Sequence, residues 1–223
     1  MSTRLKQAFS GAYAHQVLFG ILILLVVVSP LVHESSQLSW VISVSFVLVI
    51  LAAVRTMAEE VLFLRLAVVL GLIAVYGQLG VLFFPGNWMI GIRLLFTSLF
   101  LFAVALALLG SILARSQSVT TDLMFGAINV FLMVGLAFAT LFAYLEMMHP
   151  GAFSGFEGFP KDQDPFLPFI YFSYVTITTL GYGDVTPVSG MAITLSYVEA
   201  IFGQLYLAIL VARLVGLYIR DGS

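Results

Sequence analysis

TITTLGYGDVTP, residues 176–187, sets four threonines and two glycines around a single tyrosine in the middle of a chain that is otherwise strongly apolar. The run before it, Phe166 to Thr178, is also apolar but short. As a helix it extends about 20 Å, less than the roughly 30 Å hydrocarbon core of a bilayer. A helix that enters a membrane and stops must hand over to non-helical backbone, which is tolerated at that depth only where protein or water surrounds it. Gly181 and Gly183, two residues apart, admit the positive φ that other residues resist. Alternating such residues with ordinary ones turns successive carbonyls to one side. The stretch therefore predicts a re-entrant helix followed by a carbonyl-lined loop.

The rest of the chain supplies the membrane setting. Of its 223 residues 61% are hydrophobic and 9% charged, and the mean hydropathy is +1.12. This balance excludes an ordinary soluble domain. Apolar runs at about 11–32, 38–54, 61–84, 88–114, 119–148 and 188–219 predict six transmembrane helices, with the re-entrant helix between the fifth and sixth. Asp164 suits the cap of that short helix and Pro165 its first position. With both termini cytoplasmic, Arg4, Lys6, Arg55, Arg65, Arg115, Arg213 and Arg220 fall inside and Lys161 outside, which fixes the orientation. No small-x-small cleavage pattern closes the first run, so it is expected to be retained as a span. Cysteine is absent, which excludes a disulfide framework and thiol chemistry. No soluble ligand-binding domain is expected at either end.

Thr179-Leu180-Gly181-Tyr182-Gly183-Asp184 resembles the signature filter of tetrameric potassium channels, a family in which four loops of carbonyl oxygens replace the hydration shell of the ion. The resemblance covers about residues 119–219 and takes in the short helix, Thr178-Thr179 at the filter entrance, Asp184 and Pro187 at its exit, and a long inner helix. It implies an all-α membrane protein with a pore domain at 116–223, preceded at 1–115 by a four-helix transmembrane domain in the position of a voltage sensor. It also implies a homotetramer in a lipid bilayer, at the plasma or cell inner membrane, that conducts K+ passively with no cofactor, no nucleic-acid partner and no enzymatic reaction.

Carried over residue by residue, the carbonyls of Thr179, Leu180, Gly181 and Tyr182, with the Thr179 hydroxyl, would coordinate K+. Gly183 would complete the outer turn, and Thr178, Asp184 and Tyr171 would support the filter. The chain departs from the family pattern at Leu180, where valine or isoleucine is usual, and at Tyr171-Phe172, where many relatives carry two tryptophans. Some relatives also have a glutamate in the place of Val175. Tyr171 retains a hydroxyl to donate to Asp184, whereas Phe172 has none.

Residues outside the filter carry further expectations. Gly203 stands 19 residues after Asp184, where many relatives place a gating hinge; a glycine there also permits close helix packing. Gln204 is expected to face a water-filled cavity or to bond a neighbouring helix. Glu199, a buried acid on the same helical face as Gly203, is expected to bond the back of the re-entrant helix at Thr176 or Thr178 or to set a cation-attracting field.

Arg93 is the one arginine in 88–114, where known voltage sensors carry 3–4 gating charges, so steep voltage gating is not expected. It reads as an interfacial or snorkelling residue, or as partner to an acid on another span. Glu146, Glu157, Asp162 and Asp164 outnumber Lys161 in the outer loop and would concentrate cations at a mouth, unless they are simply solvated. Phe153, Phe156 and Phe159 are expected over the pore rim or at the lipid interface. His15, His33 and His149 lack metal-site spacing. The alternative functions are a weakly selective cation channel and a cation-coupled transporter that uses Glu199 and Arg93; the internal repeats common in such carriers are not visible.

Overall fold

A computed structural model describes residues 13–32, 39–56, 61–84, 86–115, 120–156 and 166–221. Its helices are α1 (Ala14–Val32), α2 (Ser39–Thr56), α3 (Val61–Phe83), α4 (Asn87–Arg115), α5 (Thr121–Met148), α6 (Phe166–Ile177) and α7 (Gly190–Asp221). Two short strands, β1 (Phe153–Ser154) and β2 (Thr186–Pro187), pair antiparallel with Phe153 opposite Pro187 and Ser154 opposite Thr186. The expected caps Asp164 and Pro165, the loop residues Glu157, Phe159, Lys161 and Asp162, and His33, Arg4 and Lys6 lie outside the described residues.

Among the described residues the regular structure is thus helical apart from one short ladder. Among the described residues four helices are long and apolar enough to cross a membrane, at Leu64–Val81, Asn87–Leu113, Thr121–Met148 and Gly190–Arg213. The apolar parts of α1 and α2, Ala14–Ser29 and Val41–Thr56, are shorter.

Local chemistry sets the helix ends. Thr120 caps α5, its hydroxyl accepting from the Leu123 N–H at 3.2 Å, and Asp122 in the first turn suits the positive end of the helix dipole. Ser189 does the same for α7, its hydroxyl accepting from the Ala192 N–H at 3.2 Å. Between α3 and α4 the Gly86 carbonyl accepts from the Met89 and Ile90 N–H groups and starts the new helix.

α5 is the axis of the packing. α4 lies along it, α3 packs on α4, α1 on α2 and α5, and α6 on α5. Asn129, fully buried on α5, donates to the His15 carbonyl of α1 at 2.8 Å, and Phe125 meets Phe19 with ring centroids 5.2 Å apart.

Among its described side chains α7 buries one stripe. Ala192, Ser196, Glu199, Gly203 and Tyr206 recur at alternating spacings of four and three and face the interior. Met191, Val198, Ile201, Leu205 and Ile209 stand exposed, an apolar surface that lipid or further protein must cover.

Candidate functional site

The twelve residues of α6 end well short of a membrane crossing and are held in place by aromatic packing. Phe172 meets Phe142 at 5.2 Å and Phe153 at 5.3 Å, while Phe169 meets Phe153 at 5.1 Å and Phe156 at 5.2 Å. Phe172, which has no hydroxyl to offer the loop, is therefore a core residue. Phe153, expected at a rim or an interface, is instead buried inside this cluster. On the other side of α6 the Tyr174 hydroxyl donates to the Leu132 carbonyl of α5 at 2.9 Å. Its ring occupies space that only a glycine leaves open, since a Cβ on Gly135 would lie 2.8 Å from it.

The loop leaves α6 by folding back on the open end of the helix. Thr179 N–H donates to the Thr176 carbonyl at 2.9 Å, and the Leu180 and Gly181 N–H groups both donate to the Val175 carbonyl, at 2.9 and 3.2 Å. The Thr178 hydroxyl donates to the Tyr174 carbonyl at 2.6 Å. Carbonyls that the helix end would leave unpaired are thereby satisfied by the loop itself.

Beyond that turn the backbone alternates in hand. Thr179, Gly181 and Gly183 have φ of +59°, +57° and +78°, whereas Leu180 and Tyr182 between them do not have positive φ. The two glycines are required by conformation, because a Cβ on either would meet open space. Thr179 is an outlier for a β-branched residue and implies that its surroundings over-determine it. Leu180 and Tyr182 are 55% and 66% exposed, so a single chain leaves this loop uncovered on one side.

Three contacts hold the loop at its exit. The Tyr171 hydroxyl donates to Asp184 Oδ2 at 2.5 Å, and Asp184 Oδ1 accepts from the Val185 N–H at 2.9 Å. The phenol donor holds the Asp184 carboxyl below its usual range, with the Val185 N–H adding to the effect. Gly155, at φ +94°, lets the Asp184 carbonyl approach so closely that a Cβ would lie 1.7 Å from that oxygen. The outer segment is tied to the same place by the β1–β2 ladder, by a Ser154–Thr186 hydroxyl contact of 2.8 Å, and by Val188 and Ser189 N–H groups donating to the Ala152 carbonyl.

α7 backs the loop from the other side. A Cβ on Gly203 would lie 2.0 Å from the Ile177 carbonyl oxygen, so this glycine permits close packing, and α7 runs unbroken through it. Gln204, expected to face a cavity or bond a neighbouring helix, is exposed and donates from Nε2 to the Thr179 hydroxyl at 2.8 Å. Glu199 faces α6 as expected, but its partner is Ser173, with Oε1 and Oγ 2.5 Å apart, and neither Thr176 nor Thr178. The helical period explains the difference: Ser173 and Ile177 share the buried face of α6, whereas Thr178 lies beyond the helix end and is exposed.

Two charged residues are held by the protein itself. Arg93 is 5% exposed and packs where α3 has no side chain, a Cβ on Gly77 falling 2.8 Å from its Cα, so it is enclosed between helices. Glu146 is engaged locally, its two oxygens accepting from the Gly151 and Phe153 N–H groups at 2.8 and 3.0 Å. The Arg213 guanidinium donates to the Ile112 and Leu113 carbonyls at the end of α4, each at 2.9 Å, a bond that its charge alone does not announce.

Among the described residues no group of three His, Asp or Glu side chains is placed to hold a metal ion. The oxygens the loop offers are backbone carbonyls and threonine hydroxyls, hard ligands suited to an alkali cation. No curated protein and no solved structure matches the chain. Residues 130–220, from the third turn of α5 almost to the end of α7, match the family model described as "Ion channel", which supports an ion channel carried in an all-helical, multi-pass membrane protein.

Proposed function

We propose that the chain is one subunit of a potassium-selective channel, in which four copies surround a central axis and passively conduct K+ down its electrochemical gradient. The alternating hand of the backbone at Thr179, Gly181 and Gly183, at the end of a helix too short to span, carries this reading. Such a loop turns the carbonyls of Thr179, Leu180, Gly181 and Tyr182 towards one side. Copies brought together there form stacked oxygen cages for a dehydrated ion. The exposure of Leu180 and Tyr182 and the uncovered apolar face of α7 suit a surface completed by neighbouring copies. α6 enters from outside and points its negative dipole end at mid-membrane, which favours a cation there.

In this reading six helices span the membrane with cytoplasmic termini, residues 1–115 form a four-helix domain, and residues 116–223 form the pore in a plasma or cell inner membrane. Tyr171, Thr178 and Asp184 support the filter. With Arg93 the only arginine on α4 ahead of Arg115, opening is not steeply voltage-dependent.

Purified protein in liposomes tests the proposal through potassium-gradient flux, with barium as blocker and Gly181→Asp as control. Barium-sensitive flux abolished by the substitution is expected. Flux unaffected by Gly181→Asp would show that the ion path lies elsewhere. Reversal potentials in mixed potassium and sodium solutions test selectivity, equal permeability assigning a weakly selective channel. Saturable coupled uptake without single-channel current would assign a carrier.

A further inference from the structure

Behind the loop a chain of oxygens runs across three helices. Glu199 of α7 is 0% exposed, with Oε1 at 2.5 Å from Ser173 Oγ of α6. The same Ser173 oxygen lies 2.6 Å from the Gly135 carbonyl oxygen of α5. A serine hydroxyl has one proton, and a backbone carbonyl can only accept. If Ser173 gave its proton to Glu199, two bare oxygens would face each other across the Gly135 contact. Both short contacts are satisfied together only when Ser173 donates to Gly135 and the Glu199 carboxyl donates to Ser173.

Among the described residues, the helices packed against Glu199 supply no cation beside it that would hold a carboxylate instead. α5 and α6 contain no Lys or Arg, and the nearest on α7 is Arg213, about 21 Å along the helix and bonded to α4 carbonyls. Of the titratable groups on the packed elements, Tyr174 on α6 gives its proton to the Leu132 carbonyl and Tyr171 gives its proton to Asp184. On α5, Asp122 lies at one end, 3.8 Å from His15; Tyr144 and Glu146 lie near the other, where Glu146 holds loop N–H groups. On α7 itself Tyr206 donates to the Ala127 carbonyl and Tyr197 is exposed. β2 brings no titratable group, and α4 meets α7 across an apolar cavity lined by Phe102, Ala105, Val198 and Phe202. Glu199 Oε2 has no hydrogen-bond partner among the described residues. An ionised carboxylate in such a place carries a desolvation cost of several kcal/mol with nothing to offset it.

We propose that Glu199 is a buried proton-binding site: its protonated carboxyl donates to Ser173, which donates to Gly135, and this relay fixes the loop-bearing helix between α7 and α5. Glu199 is thus a positioning residue that acts through Ser173. Loss of its proton reverses the Ser173 hydroxyl towards the carboxylate and releases Gly135, so α6 loses one of its ties to α5 and keeps those of Tyr174 and Phe172.

The test uses the full chain in lipid and two readouts, infrared absorption of protonated carboxyl groups and thermal unfolding across alkaline pH. At neutral pH the wild type is expected to show a protonated-carboxyl band that Glu199→Gln removes and Ser173→Ala shifts. Glu199→Gln, whose amide donates to Ser173 as the acid does, is expected to keep the wild-type unfolding midpoint and to flatten its alkaline dependence; Glu199→Leu lowers the midpoint. Absence of a band that responds to either substitution overturns the proposal. Equal losses of stability in Glu199→Gln and Glu199→Leu overturn it as well. Should Glu199→Gln fail to assemble, the response of the wild-type band to Ser173→Ala still decides. Neither readout needs ion flux, so a negative result leaves the conduction reading standing.

Discussion

The backbone of α7 at Gly203 and the carbonyl oxygen of Ile177 are in direct apposition, a Cβ on the glycine falling 2.0 Å from that oxygen. Gly203→Ala must push α7 away from the last turn of α6, because the obstructing atom is backbone and has no rotamer to escape into. Overpacking of this kind costs about 1–3 kcal/mol. The expected outcome is a lower unfolding midpoint together with at least a tenfold loss of flux. Wild-type flux in Gly203→Ala would show that the loop tolerates a displaced α7.

Tyr171→Phe removes the donor that keeps the Asp184 carboxyl below its ordinary range. A depressed carboxyl stabilises the fold above its unfolded pKa of about 3.9 and loses that contribution as pH falls through the lower folded value. In Tyr171→Phe part of this contribution is missing at neutral pH, and Asp184 takes up its proton at a higher pH than in wild type. Flux measured while external pH is lowered from about 6 through the ordinary aspartate value should fail earlier in the variant. Superimposable profiles would remove Tyr171 from any role in supporting the loop.

These two contacts mark what was legible in the sequence. Asp184 and Tyr171 stand at positions that a known pattern pairs, and the structure joins them. The glycine alternation at 181 and 183 was readable because only glycine takes positive φ freely. Thr179 at +59° was not, since nothing in a threonine announces a left-handed backbone; the fold-back of Leu180 and Gly181 N–H groups onto Val175 imposes it. The long apolar runs gave α3, α4, α5 and α7 to within a few residues. The partners of Glu199, Gln204 and Arg213 were hidden, because they depend on how helices far apart in sequence are rotated against each other.

Asn129→Ala tests the attachment of α1 to α5. It removes a fully buried amide that donates to the His15 carbonyl and leaves a small void. A loss of about 1–3 kcal/mol in stability is expected, with ion preference unchanged because the loop makes no contact there. A changed K+/Na+ permeability ratio in Asn129→Ala would mean that α1 bears on the loop after α6.

Arg213→Gln removes the guanidinium that joins α7 to the terminal carbonyls of α4. A movement of α4 is passed to α7 through this bond. Single-channel records should show an altered open probability, by several fold, with unchanged unitary conductance. An unchanged open probability would locate the coupling elsewhere.

The β1–β2 ladder also limits how the molecule can move. Ala152 holds the first residues leading into α7, Gly155 clasps Asp184, and Gly203 is wedged against Ile177, so the half of α7 nearest the loop is fastened along its length. Beyond Tyr206 its described side-chain hydrogen bonds are those of Arg213. A displacement of α7 would therefore reach the loop at two adjacent places, through the Gly203–Ile177 apposition and through the Gln204–Thr179 bond, with Tyr206 tying the helix to α5 just beyond them.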